Sequence, residues 1–285
     1  MVSSLLRLGA SALVAASLAF TSAAEAEKVQ APDRMEQKPK RLEGVDVTEH
    51  LGERVPETLA FQDHHGKTVT LADYLHDGVP VIVTFNYSNC PMLCSLQLNG
   101  FVDSLKELDF TAGKEFRIVT VSLDPKETQE SAHRFRARYL SQYARPGSES
   151  GWAFVTGSEQ NIRALAKAVG FSYNYNEARG EYVHPAAITL LSPEGKIARY
   201  LYGLEYPDKT LRLGLVEASE GRVGTSLDRL ILYCFHYDST EGRYAPIAAR
   251  IMQIGGAVTV VLLAGFLTIL IRRDRKRILV ESTAQ

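Results

Sequence analysis

Between about residue 51 and residue 220 the chain alternates short, apolar, β-branched runs with stretches of helical spacing. Strands that are apolar along their whole length must be covered on both faces, and helices interleaved with them provide the cover. "VPVIVTFNY", residues 79–87, reads as a buried strand. The next segment has helical spacing, with Leu96, Leu98, Phe101, Val102, Leu105 and Leu108 on one side. "FRIVTVSLD" (116–124) and "WAFVTG" (152–157) read as further strands, and the polar amphipathic stretch 126–143 as a helix between them. A helix over 158–170 is bracketed by a capping Ser158 and a terminal Gly170. Hairpins are expected at 57–75, turning at Asp63-His64-His65-Gly66, and at 186–203, turning at Pro193-Glu194-Gly195. The order β-α-β-α-β-α-β-β predicts an α/β domain, a mixed sheet flanked by helices. A domain of this length buries a core without disulfide support.

The two ends read differently. Residues 1–26 carry Arg7, an apolar run from Leu8 to Phe20 and an A-x-A-like end at Ala24-Glu25-Ala26, the pattern of a secretory signal peptide. Residues 27–50 are polar and read as a tether to a domain over 51–220, followed by a membrane-proximal segment, 221–250. Residues 251–271, "IMQIGGAVTVVLLAGFLTILI", contain no charge and are long enough to cross a bilayer as a helix. The basic "RRDRKR" opens the tail 272–285 and marks it as cytoplasmic. The reading is a single-pass protein of the inner membrane, its folded domain in the periplasm. With a net charge of −1 and basic residues clustered only in that tail, nothing indicates a nucleic-acid partner.

Two of the three cysteines, Cys90 and Cys94, follow the buried strand in "NYSNCPMLCS". Just beyond a strand and at the mouth of a helix is where chemistry collects in α/β sheets. Pro91 suits the first position of a helix. A helix starting there places Cys90 at its cap and Cys94 one turn on, with Cα atoms ~6 Å apart, within disulfide reach. The helix N-terminus favours thiolate at Cys90. So short a loop gains little as a structural cross-link. Two readings stay open, a redox dithiol and a soft-metal site, because paired thiolates prefer Cu(I) over hard cations. Of seven histidines, His64 and His65 on their turn are expected to be solvated, and His50, His76 and His133 to lie on the surface. His184, held extended by Pro185 at the entrance to the last hairpin, is the candidate third ligand.

The motif "NYSNCPMLCS" resembles that of the Sco/SenC family, assembly proteins for the copper site of cytochrome c oxidase. "VTVSLDPKET" resembles the family's strand ending in an Asp-Pro turn, and "YVHPAAITLLSPEGKIARYLYG" its His-bearing hairpin. The resemblance runs from about Val45 to Gly214. It implies a thioredoxin-like fold with an inserted hairpin and copper held by Cys90, Cys94 and His184, with Asp124 in a supporting role. It further implies the copper-bearing oxidase subunit as partner, and in an oxidising compartment a thiol reductant must keep the dithiol reduced. The chain departs from the family at Ser95, often Pro, and at Val183, usually Asp. It also departs in anchoring at its C-terminus and in the segment 205–250, which has no counterpart in the family's core. That segment holds Cys234 and His236, which share a face only if the stretch is a strand; aromatic packing beside the bilayer is the other reading.

Three functions use these residues. A copper metallochaperone needs Cys90, Cys94 and His184. A thiol-disulfide reductase that keeps the oxidase cysteines reduced needs only the two sulfurs as its catalytic pair. Peroxide reduction needs a Thr just upstream of the cysteine, and none is there. An ordinary thioredoxin carries a two-residue spacer, not three.

Overall fold

The computed structural model describes residues 44–220, 235–238, 243–246 and 248–282. The expected signal peptide, residues 27–43 of the tether, and Cys234 lie outside the described residues. In chain order the strands are β1 Asp46–Val47, β2 Ala60–Asp63, β3 Thr68–Thr70, β4 Val81–Asn86, β5 Arg117–Ser122, β6 Trp152–Thr156, β7 Phe171–Ser172, β8 Asn174–Asn176, β9 Glu181–Val183, β10 Ala187–Leu191, β11 Ile197–Tyr202, β12 Phe235–Asp238 and β13 Arg243–Pro246. The helices are α1 Leu93–Glu107, α2 Gln129–Tyr143, α3 Glu159–Ala168, α4 Asp208–Ala218 and α5 Ala248–Ser282.

Seven strands form one mixed sheet in the order β11-β10-β4-β5-β6-β2-β3. β4, β5 and β6 run parallel, and β10 and β2 join them antiparallel. This is the thioredoxin-like arrangement that the resemblance implies. Every residue of β4 is buried, because both faces of the sheet are covered. Ile82, Ile118, Phe154 and Ile188 pack on one side with Leu98, Phe101 and Leu105 of α1 and with Phe135 and Tyr139 of α2. Val83, Phe85, Val119 and Val121 pack on the other with Ile162 and Leu165 of α3. Ser158 accepts a hydrogen bond from the Asn161 N–H at the start of α3. Gly170 ends that turn at φ +63°, where a Cβ would lie 1.7 Å from the Thr48 carbonyl oxygen. The β1–β7 pairing depends on that close approach.

Several details differ from the sequence reading. Residues 46–47, within the stretch read as tether, pair with β7, and Val45 is buried. α1 begins at Leu93, two residues after Pro91, with Met92 at its cap. Asn174–Val183 form an additional hairpin, β8–β9, leading directly to His184. Phe235–Asp238 and Arg243–Pro246 pair as strands, placing His236 opposite Ala245. α5 contains Met252–Leu270, long and apolar enough to cross a membrane and with none of it buried against the protein.

Candidate metal centre

Three elements bring Cys90, Cys94 and His184 together. β4 delivers the loop Tyr87–Met92, in which the Cys90 N–H bonds to the Tyr87 carbonyl at 3.3 Å. That loop is tied to the start of α2: the Ser88 N–H donates to Glu127 at 3.3 Å, and Ser88 and Ser131 exchange a hydroxyl hydrogen bond. Glu127 in turn accepts from Ser122 at the end of β5. Cys94 is the second residue of α1 and fully buried, whereas Cys90 is partly exposed. The Cys94 N–H donates to the Cys90 sulfur at 3.2 Å, so the helix N-terminus reaches Cys90 although the helix starts later than Pro91. Neither Cys90 nor Cys94 is in a disulfide.

His184 is 3% exposed, and its Nε2 lies 3.3 Å from the Cys94 sulfur. Its Nδ1 lies 3.0 Å from the Pro185 carbonyl. A carbonyl only accepts, so Nδ1 carries the proton and Nε2 presents a lone pair to the sulfurs. Such a backbone partner orients a metal-ligating imidazole; here Pro185 supplies it, while Val183 stands where the family usually has Asp. Tyr87 and Phe171 flank the imidazole, with ring centroids 6.5 and 6.0 Å away. The Tyr87 hydroxyl bridges β9, accepting from the Tyr182 N–H at 3.1 Å and donating to the Tyr182 carbonyl at 3.4 Å. One ligand atom from each of Cys90, Cys94 and His184 falls within 4.8 Å of the others, the one such cluster among the described residues.

The two thiols are driven apart in acidity. A hydrogen bond from the Cys94 side chain, opposed by partial burial, pulls the Cys90 pKa well down. Burial, and then the neighbouring Cys90, push the Cys94 thiol up. Cys90, the partly exposed sulfur, is therefore the more acidic of the two and Cys94, the buried one, the less acidic. Burial and the Cys90 charge raise the Tyr87 phenol. Asp124 is not among the ligand atoms: it accepts from the Lys126 N–H at 2.9 Å, and after burial its carboxylate is the next cause holding Tyr182 up at about 12.

Sequence reasoning missed the support beneath the site. Gln97 is 1% exposed and takes part in three hydrogen bonds. Its Nε2 donates to the Ala187 carbonyl at 3.1 Å and to the Tyr206 hydroxyl at 3.0 Å, and its Oε1 accepts from Asn86 at 3.2 Å. The Asn86 side chain also acts on the Cys94 thiol, weakly opposing its upward shift. The available signal was a lone Gln on the apolar side of a helix, between Leu96 and Leu98. Among the histidines, His50, His76 and His133 lie at or near the surface as expected and His65 is exposed, but His64 is buried at 7% exposure. α2 packs over its turn and removes it from solvent.

A thioredoxin-like domain that opens a helix on a Cys-x-x-x-Cys dithiol and lays a buried imidazole against it defines a class, the thiol proteins that handle electrons or soft metals. A sequence model of SCO1/SenC matches residues 48–213, more than half of the 285 residues, and the chain belongs to that family. It is similar to the SCO1 protein homolog of Bacillus subtilis, 27% identical over 152 residues that cover 52% of this chain and 74% of that one. It is also similar to the mitochondrial SCO1 homolog of Homo sapiens, 24% identical, covering 55% of this chain and 48% of that relative. The chain thus spans about half the length of that human relative. A crystal structure from Aquifex aeolicus VF5 superposes with a TM-score of 0.52 at 28% identity, covering 59% of this chain and 94% of that one.

Proposed function

We propose that the domain binds one Cu(I) ion through Cys90, Cys94 and His184 and serves the assembly of the copper site of cytochrome c oxidase, with the copper-bearing subunit as its partner. The observation that carries this reading is the convergence of two sulfurs and one oriented imidazole nitrogen within 4.8 Å. Two soft sulfurs select a soft cation, and three protein donors suit the low coordination number of Cu(I). Copper here is cargo. Cys90, the more exposed and more acidic of the two, is the sulfur positioned to accept or release it. Cys94 must lose its proton for the site to fill, so uptake releases a proton.

The polarised pair supports a second reading, a reductase for the oxidase cysteines. The Cys90 thiolate attacks a partner disulfide and forms a mixed disulfide, with one partner sulfur leaving as thiolate. Cys94, once deprotonated, displaces the second. The chain then holds a Cys90–Cys94 disulfide and the partner a dithiol, two electrons having passed. A thiol reductant outside the membrane resets the chain. The apolar window Met252–Leu270 supports a C-terminal anchor. With a cleaved signal over 1–26 and a basic tail over 272–285, the domain 51–220 stands in the periplasm and the segment 221–250 joins it to the span.

Cu(I) titration of the reduced full-length chain separates the two readings. Cys90→Ser and Cys94→Ser should each abolish tight binding. His184→Ala should weaken it at least ~10-fold while leaving the dithiol able to oxidise and reduce. Unchanged affinity in His184→Ala favours the reductase.

A further inference from the structure

A second group of metal-ligating side chains lies toward the other edge of the sheet from the dithiol. His64 and His65 head the turn between β2 and β3, and His133 stands in the second turn of α2. Their ring centroids are 4.2 Å apart for His64–His65, 6.4 Å for His64–His133 and 6.0 Å for His65–His133. His65 and His133 are exposed, and His64 is buried beneath them at 7% exposure. The Nδ1 atom of His64 is buried and has no hydrogen-bond partner. An unpaired polar atom in the interior costs ~1–3 kcal/mol, so a native fold that keeps one calls for an explanation.

The turn is built rigidly around these rings. Asp63 Oδ1 accepts from the backbone N–H of His65 at 2.8 Å and of Lys67 at 2.9 Å. Gly66, at φ +80°, lets the turn pack on Gln129 of α2, whose side chain a Cβ there would meet at 2.7 Å. The Nδ1 of His133 lies 3.3 Å from the His64 carbonyl, which only accepts; His133 is therefore protonated at Nδ1 and keeps a lone pair on Nε2. That is the backbone bond a metal-ligating imidazole makes. The nearby Arg136 guanidinium donates to the carbonyls of Trp152 and Glu149, and the Asp63 carboxylate opposes part of its charge at His64.

We propose that His64, His65 and His133 form a second metal site, which takes one divalent first-row cation of the Cu(II) or Zn(II) class. Imidazole suits these ions, and with no sulfur in the set there is no preference for Cu(I). With a metal–nitrogen distance of ~2.1 Å, each ring centroid sits ~3.2 Å from the ion and tetrahedral neighbours lie ~5 Å apart. The observed separations bracket that value. As they stand, the three rings do not bring one nitrogen each within 4.8 Å of the others. Filling the site requires the exposed His65 ring to turn toward His64 while His133, held by its bond to the His64 carbonyl, offers Nε2, with a fourth position open to water.

The test uses the full-length chain with Cys90→Ser and Cys94→Ser, which silences the dithiol, titrated with Cu(II) and separately with Zn(II). Uptake of one equivalent is expected, with imidazole nitrogen couplings in the Cu(II) electron spin echo spectrum. His65→Ala and His133→Ala, both at exposed positions, should each weaken binding more than ~10-fold, the scale of losing even an outer partner of a metal ligand. His184→Ala in the same background should leave the affinity where it was. Absence of stoichiometric uptake, equal affinity in the His65 and His133 variants, or loss of the site with His184→Ala overturns the proposal. Cu(I) binding by the intact dithiol reports separately on the function proposed above, so failure of one leaves the other standing.

Discussion

Gln97→Leu removes the amide beneath the dithiol while keeping its volume. In the native structure that amide joins α1 to β10 through the Ala187 carbonyl, to Tyr206 through its hydroxyl, and to the end of β4 through Asn86. With leucine in place, three groups lose a partner in a region where Gln97 itself is 1% exposed. Each buried orphan costs ~1–3 kcal/mol. Leucine returns ~1 kcal/mol through its greater apolar area. The expected net loss is ~2 kcal/mol, at the low end of the orphan costs because Tyr206 and Asn86 can reorient. The sole tryptophan, Trp152, is 1% exposed in the same half of the core, so its fluorescence reports urea unfolding of the reduced, metal-free chain. Because Asn86 acts on the Cys94 thiol and Ala187 lies three residues after His184, Cu(I) affinity should fall too. A Gln97→Leu chain within ~0.5 kcal/mol of the parent, the range of a neutral surface change, would refute this reasoning.

The buried His64 gives a pH signature: burial first, then Arg136 and the neighbouring imidazoles, hold its pKa at about 4, against an ordinary 6.5. Between those values the unfolded chain binds a proton that the folded one does not, so stability is full above pH 6.5 and falls toward pH 4, by ~1–3 kcal/mol; urea midpoints of the metal-free protein at pH 7 and 5 measure it, and His64→Gln should flatten the slope. Gly170→Ala forces a Cβ to within 1.7 Å of the Thr48 carbonyl at a φ of +63°, and a loss above ~2 kcal/mol is expected from strain and separation of β1 from β7; an unchanged urea midpoint contradicts this. Green fluorescent protein fused after Gln285 should fluoresce if the tail is cytoplasmic, and a dark but full-length fusion contradicts that topology.

The strands and most helices were legible because they rest on local pattern. The largely apolar, β-branched run of β4, the Ser158 cap and the Gly170 stop are each read from a few neighbouring residues. The cysteines and His184 were legible as candidates for the same reason, and the resemblance joined them across the chain. What escaped depends on distant contacts. Pro91 favours a helix start, but the Cys90 N–H bonds back to Tyr87 and holds the chain in a turn until Met92. The β8–β9 hairpin consists of two three-residue strands without an alternating pattern. His64 reads as a solvated turn residue, since nothing in its neighbours announces that Gln129 and α2 cover the turn. Gln97 reads as an ordinary helical residue until β10 and Tyr206 are in place around it.

X-ray absorption at the copper edge tests the central claim most directly. The reduced full-length chain, loaded with one equivalent of Cu(I), should show two sulfur scatterers and one imidazole nitrogen, from Cys90, Cys94 and His184. His184→Ala should lose the nitrogen and keep both sulfurs. A spectrum with a single sulfur, or a nitrogen shell that survives in His184→Ala, would place the copper elsewhere and contradict the account.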